Sequence, residues 1–131
     1  MTEALLYNRL KSVPNVHWQR IESANTGSGI PDLNGIYFDK DLPFINQGVE
    51  FWVELKIGPP RLRPAQVAWH VRAHAQGRRA FILSYRDELY CLYRGKTFKE
   101  IDSSHFTPRE FPIISTRSLE AITPFLTKTY N

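Results

Sequence analysis

The stretch that decides the fold is Val49-Glu50-Phe51-Trp52-Val53-Glu54-Leu55-Lys56-Ile57, in which apolar residues occupy every second position. Side chains along a β-strand point to opposite faces in turn. One face is therefore wholly apolar, whereas the other presents Trp52, Glu54 and Lys56. Gly58-Pro59-Pro60 follows and stops the strand, because proline cannot donate to a strand ladder. The pattern predicts a strand over residues 49–57 with its apolar face in the core.

A helix and a second buried strand follow this strand. Pro64 suits the first turn of a helix and Gly77 its C-terminal end, so we expect a helix from Pro64 to about Gln76. Residues 80–84 form a short apolar run typical of a buried strand. A strand, a helix and a strand in this order predict one crossover between parallel strands.

The remaining segments extend this unit to one α/β domain over residues 1–131, with a central mixed sheet flanked by helices. The expected elements are a helix over 2–12 capped by Thr2, strands over 16–22, 33–38 and 89–93, loops over 25–29 and 39–48, and a final helix from Ser115 or Thr116 to about Phe125.

Composition narrows the choice of partners only slightly. The net charge is +4 and the pI is near 9.4, which favours polyanionic partners. The single cysteine, Cys91, cannot form an internal disulfide and reads as a buried strand residue. No apolar run of 18 residues occurs, and the start has no basic and apolar signal pattern. We expect a cytoplasmic protein, of a bacterium or a phage-infected host cell.

Three charged side chains suggest the chemistry. Asp32 follows a glycine-rich turn, and Glu54 and Lys56 lie about 7 Å apart on one strand face at roughly 3.3 Å per residue. Two carboxylates and an ammonium can hold a divalent cation and orient a water beside a phosphate, as in metal-dependent nucleases. Taken singly, Asp32 can cap a turn, and Glu54 and Lys56 can line a solvated strand. Their combination, with Trp52 on the same face, favours a nuclease site.

These residues resemble the motifs of the PD-(D/E)XK nuclease superfamily, in particular its virus-type replication-repair (VRR-NUC) branch. Residues 29–33 are similar to that branch's G-x-P-D-L segment, residues 52–56 to its second motif, and Gln66 to its downstream glutamine. The resemblance covers roughly residues 16–84. It implies a restriction-endonuclease-like α/β fold, with a central mixed sheet flanked by helices. It also implies Mg²⁺ as cofactor, with Mn²⁺ as a substitute, and homodimers that resolve four-way DNA junctions in DNA repair and recombination.

The resemblance also implies roles for these residues. Asp32, Glu54 and the backbone carbonyl of Leu55 would bind the metal. Lys56 would position the attacking water or stabilise the transition state, and Gln66 would hold the lysine or the water through its amide. A phosphodiester needs this help because its own charge repels nucleophiles and its leaving alkoxide is poor.

Further site residues have open alternatives. The additional acidic ligand is Glu3 on the first helix or Glu22 at the end of the first strand, with Glu50 as a weaker rival. Glu3 can equally be a helix-capping residue. The expected DNA contacts are Arg61, Arg63, His70 and Arg72. The alternatives are a solubilising surface for the arginines and a surface or core position for the histidine.

The resulting hypothesis is a metal-dependent, structure-selective DNA endonuclease, specifically a Holliday junction resolvase. A flap, nicking or restriction-type nuclease of the same fold is one alternative, and a catalytically idle nucleic-acid-binding protein is another. Aromatic residues in the last third of the chain would build the dimer contact or complete the core: Tyr90, Tyr93, Phe98, Phe106, Phe111 and Phe125.

Overall fold

The computed structural model describes residues 1–21, 29–38 and 48–128. Helices and strands follow in this order: α1 (Glu3–Leu10), β1 (Val16–Arg20), β2 (Leu33–Tyr37), β3 (Val49–Ile57), α2 (Pro64–Ala75), β4 (Ala80–Arg86), β5 (Leu89–Arg94), β6 (Phe98–Asp102), β7 (His105–Pro108), β8 (Ile114–Thr116), a 3-10 helix (Leu119–Ile122) and α3 (Thr123–Thr127).

Six strands form the central sheet in the order β1-β2-β3-β4-β5-β8, and β6 and β7 form a separate hairpin. All neighbours in the central sheet are antiparallel except β3 and β4, which are parallel and are joined by α2. The predicted crossover and the mixed sheet are therefore confirmed. The predicted bounds of β3 are those observed.

One face of the sheet packs on α1 and α3 through an apolar core. Phe51, Val53 and Leu55 of β3 contribute to it and are at most 3% exposed. Leu6 and Leu10 of α1 pack in the same cluster on this face. Thr2 caps α1 as predicted, since its Oγ1 accepts a hydrogen bond from the Leu5 N–H at 3.1 Å. Leu5 itself is 44% exposed and lies outside this core.

The opposite face packs on α2, which in turn contacts the β6–β7 hairpin. Trp52 of β3 meets Trp69 of α2 edge to face, with ring centroids 5.5 Å apart. The hairpin is attached through Leu62, whose N–H and C=O both bond the backbone of Phe106 at 2.8 Å. Leu62 is fully buried. This bridge holds the loop between β3 and α2 in place.

The last third of the chain departs most from the prediction. The helix expected from Ser115 or Thr116 to Phe125 is wrong: Ile114–Thr116 pairs with β5 as an edge strand, and α3 starts only at Thr123. Pro124 lies in the first turn of α3, where a missing N–H leaves no bond unmade. The β6–β7 hairpin was not predicted.

Most of the aromatic residues of this third complete the fold. Tyr90 belongs to the core, Phe125 packs against it, and Phe98 contacts the His70 ring. Phe111 alone among the six is strongly exposed, at 94%. Cys91 is buried in β5, as predicted.

Some predicted bounds differ by a few residues from the observed ones, and some predictions concern residues outside the described part of the chain. The first strand ends at Arg20 and the helix α2 at Ala75. Glu22 and most of the two predicted loops lie outside the described residues. None of the described helices is long and apolar enough to span a membrane.

Candidate active site

Asp32 lies beside β3, immediately before the start of β2. The strand β2 begins at Leu33, opposite Val53, so the Leu55 N–H lies beyond the last strand partner. The Asp32 side chain replaces the missing strand partner, because its Oδ2 accepts a hydrogen bond from the Leu55 N–H at 2.8 Å. The Asp32 carbonyl accepts the Ile21 N–H at 2.8 Å, which fixes the backbone as well. One carboxylate oxygen is thereby held against the strand that bears Glu54 and Lys56.

The Gly29-Ile30-Pro31-Asp32 segment requires glycine at its first position. The φ of Gly29 is +72°, and a Cβ there would lie 2.1 Å from the Ala65 carbonyl oxygen. Only glycine therefore lets this segment lie directly on the first turn of α2. The same turn bears Gln66, so the contact joins the Asp32 segment to the helix that completes the site. Sequence reasoning missed this contact, because a single glycine in a loop gives no sign of what it touches.

Gln66 connects Glu54 and Lys56. Its Nε2 donates to Glu54 Oε1 at 3.3 Å, and its Oε1 accepts from Lys56 Nζ at 3.4 Å and from the Arg63 N–H at 2.9 Å. The last bond also caps the start of α2. Gln66 is 6% and Glu54 3% exposed. The structure thus brings Asp32, Glu54, Lys56 and Gln66 together, and their roles stay predictions.

The electrostatics of the carboxylate pair suit a cation. Burial first, and then the hydrogen bond and negative charge of Asp32, raise the pKa of Glu54 to about 10 against the opposing effect of Lys56. Two carboxylates forced together without a positive charge between them behave in this way. Oxygen donors of this kind fit a hard divalent cation such as Mg²⁺, which would keep several waters.

The described residues offer few further ligands for such a cation. Within residues 1–21, 29–38 and 48–128, no three His, Cys, Asp or Glu side chains converge as a metal-binding group. The Leu55 backbone, held by Asp32, adjoins the carboxylate pair, and its carbonyl stays a candidate ligand.

Glu3 lies within electrostatic reach of the carboxylate pair. Partial burial and the charge of Asp32 raise the pKa of Glu3, whereas Lys56 and Arg20 lower it. Glu3 thus stands in the first turn of α1 as the candidate for an additional acidic role. Its rival Glu50 is exposed and pairs with Ile36 farther along the strand.

The predicted DNA-binding arginines surround the start of α2 or follow its outer side. Arg61 and Arg63 are exposed on either side of the buried Leu62. Arg72 is exposed two turns farther along the helix.

His70 does not meet the prediction of a DNA contact, because its side chain is fully buried. Its ring contacts Trp69 and Phe98, and a Cβ at Gly95 would lie 2.1 Å from its Nδ1. Burial, and secondly the charge of Lys56, lower the pKa of His70 to about 4. The spacing of four residues from Gln66 indicated this burial, because residues four apart lie on the same face of a helix. If Gln66 faces the sheet, His70 does so too.

Comparison with known proteins supports the fold. No protein-family model matches the chain, and no curated protein sequence matches it. Among solved structures, the chain is similar to Hjc, a Holliday junction resolvase from the archaeal hyperthermophile Archaeoglobus fulgidus. The TM-score is 0.57 at 12% identity, over 94% of this chain and 95% of that chain. The predicted restriction-endonuclease-like α/β fold is confirmed, while the VRR-NUC assignment stays a prediction.

Proposed function

We propose that the protein is a divalent-metal-dependent endonuclease that hydrolyses phosphodiester bonds in branched DNA, with the four-way junction as its substrate. The observation that carries the proposal is the convergence of Asp32, Glu54, Lys56 and Gln66 from three separate segments on one sheet face. Such an arrangement within a resolvase-like fold supports phosphodiester hydrolysis better than a solvated strand face does, because Glu54 is buried.

The carboxylates and the lysine would have different roles in the reaction. Asp32 and Glu54 would hold the cation, with Mg²⁺ as the first choice and Mn²⁺ as a substitute. The cation would neutralise phosphate charge and lower the pKa of bound water. The Lys56 ammonium, which lies beside the pair, would orient the attacking water and stabilise negative charge on the phosphate. Gln66 acts as a positioning residue, since it bonds both Glu54 and Lys56.

The arginines would bind the DNA backbone. Arg61 and Arg63 project from a loop anchored by Leu62, so they present charge beside the site at a defined position. Arg72 would extend this contact along α2. Such phosphate contacts orient a duplex without reading its sequence, so selectivity would come from DNA shape.

We further propose that the active form is a two-fold dimer. Two sites related by a two-fold axis would cut two opposed strands of a junction symmetrically. The exposed Phe111 is available for such a contact.

A cleavage assay on three labelled substrates tests the proposal: a four-way junction, a flap and a linear duplex of matched sequence, each with Mg²⁺, Mn²⁺ or EDTA. We expect paired, symmetric cuts in the junction with either metal and none in EDTA. Cuts in the flap or duplex at equal rates would leave a nuclease but remove the resolvase. No metal-dependent cutting of any substrate would favour the idle DNA-binding protein.

A further inference from the structure

Two tryptophans adjoin the candidate active site. Trp52 precedes Glu54 by two residues on the same face of β3, so their Cα atoms lie about 7 Å apart at roughly 3.3 Å per residue. Trp69 lies on α2, about one turn after Gln66. The rings of Trp52 and Trp69 meet edge to face, with centroids 5.5 Å apart. We call these two rings the tryptophan pair.

The pair differs from the third tryptophan in its exposure to solvent. Trp18 is 8% exposed and packs on Phe51 in the apolar core. Trp52 and Trp69 are half-buried, so part of the pair's surface is open. Trp69 also rests on the His70 ring, with centroids 5.4 Å apart. These ring contacts hold the pair in place before a ligand binds, which lowers the entropy lost on binding.

A cation adjoins the pair on α2. Gln66, Trp69 and Arg72 follow one another at intervals of three residues, so each is a neighbour of the next on the helix surface. Arg72 is exposed. Proteins that bind unpaired nucleotides combine these two groups, because a cation contacts the phosphate while an aromatic ring stacks on the base. Trp69 thus lies between the residue that bonds Glu54 and Lys56 and a cation suited to the DNA backbone.

The chemistry of the pair favours an unpaired nucleobase as its ligand. An indole ring offers a planar apolar surface, and every base has a matching planar face. Within a duplex these faces are covered by neighbouring base pairs, so only a base that has left the stack can use the ring. Unstacking costs least where base pairing is already interrupted, as at a branch point. The distance of about 7 Å from Trp52 to Glu54 corresponds to about two base steps of 3.4 Å.

We propose that the tryptophan pair stacks on an unpaired base within about two nucleotides of the scissile phosphate, and thereby favours branched over fully paired DNA. The inference rests on the proposed nuclease function and names the feature that its substrate must offer, an unstacked base beside the cut. Arg72 would hold the backbone of the same strand. The pair would act on substrate recognition, whereas the carboxylates and Lys56 would act on the phosphate.

The test uses four-way junctions that carry one unpaired thymidine at successive positions around the mapped cut. Each is compared with the same junction carrying an abasic residue in its place, which keeps the backbone but offers no base to stack. Affinity is measured in Ca²⁺. We expect the wild type to bind the thymidine junction about tenfold more tightly when the unpaired residue lies within about two nucleotides of the cut, and equally when it lies farther away.

Substitutions assign this preference to the pair. Trp69→Leu should bind the thymidine and abasic junctions alike, whereas Trp69→Phe should keep most of the preference because a phenyl ring still stacks. Val71→Ala is the control, since it removes a 48% exposed apolar side chain from the same helix, and it should keep the full preference. A Trp69→Leu variant that retains the preference, or that loses only stability, would remove the pair from recognition.

The two proposals fail in different ways. Equal wild-type affinity for thymidine and abasic junctions at every position would overturn the stacked base, and metal-dependent cleavage of the intact junction would still support the nuclease. A wild type that neither binds nor cuts branched DNA would overturn the proposed function itself.

Discussion

The two faces of β3 differ in what they bury. Toward α1 and α3, the strand buries Phe51, Val53 and Leu55 in an apolar core. Toward α2, the same strand buries Glu54 and half-buries Lys56. The five buried polar side chains of the described residues all lie on this second side, in β2, β3, β4 and α2: Asn34, Glu54, Gln66, His70 and Ser84.

One face of β3 therefore stabilises the fold, and the other carries the proposed active-site residues. Buried apolar side chains stabilise the fold roughly in proportion to the area they bury. A buried carboxyl destabilises it unless it is hydrogen-bonded or neutralised. Gln66 partly meets that need by bonding both Glu54 and Lys56. We therefore expect substitutions on the first face to affect folding and substitutions on the second to affect activity.

The largest effect is expected on the apolar face. Phe51→Ala removes a fully buried ring and should lower the free energy of unfolding by about 3 to 5 kcal/mol, measured by urea denaturation. Val71→Ala, at a residue of α2 that is 48% exposed, should change it by no more than about 0.5 kcal/mol. Equal effects of the two substitutions would contradict the assignment of the core.

On the other face, Lys56→Ala should separate activity from stability. It removes the ammonium beside the carboxylate pair, so the single-turnover rate should fall by about 10²- to 10³-fold. The free energy of unfolding should change by less than about 1 kcal/mol. Lys99→Ala, at an exposed position of β6, should leave both unchanged. A nearly normal rate for Lys56→Ala would remove the lysine from the mechanism.

Gln66→Ala should have a smaller effect, because Gln66 acts through its neighbours. We expect the rate to fall by about 10- to 100-fold and the Mg²⁺ concentration for half-maximal activity to rise. The matched control is Gln76→Ala at the exposed end of α2, which should behave as the wild type. A merely structural role for Gln66 would lower the melting temperature without shifting the Mg²⁺ requirement.

The smallest effect concerns pH and the Glu54 carboxyl. Its raised folded-state pKa means that the native state holds a proton that the unfolded state has released above about pH 4.5. In EDTA, stability should therefore fall as the pH rises from 5 to 9. Glu54→Gln should flatten this dependence and raise the melting temperature at pH 8 by about 3 to 6 °C. A wild-type melting curve as flat as that of the variant would contradict the buried, protonated carboxyl.

Strong local signals made part of the fold predictable. The strand β3 has strict alternation and a Gly58-Pro59-Pro60 stop, and α2 has Pro64 at its start. The β6–β7 hairpin has no such pattern, because most of its residues are exposed or half-buried and polar. The helix predicted over 115–125 was wrong because Ile114–Thr116 pairs with β5 as an edge strand, and Pro124 lies in the first turn of a later, shorter helix.

The site was predictable to the extent that its residues cluster in short motifs. Asp32, Glu54, Lys56 and Gln66 stand at recognisable spacings, whereas the burial of His70 depends on packing against Gly95 and Phe98, which follow much later in the chain. The cavity at the C-terminal end of α2 combines residues from several distant segments, so no local pattern could reveal it.

The most direct test of the central claim compares two glutamates on the same face of β3. Glu54→Gln and Glu50→Gln each remove one carboxylate, but only Glu54 is buried beside Asp32 and Gln66. Single-turnover cleavage of a four-way junction in Mg²⁺ should be at least about 10³-fold slower for Glu54→Gln and unchanged for Glu50→Gln. Near-normal cleavage by Glu54→Gln, or an equal loss in both variants, would contradict the assignment of this site as the active centre.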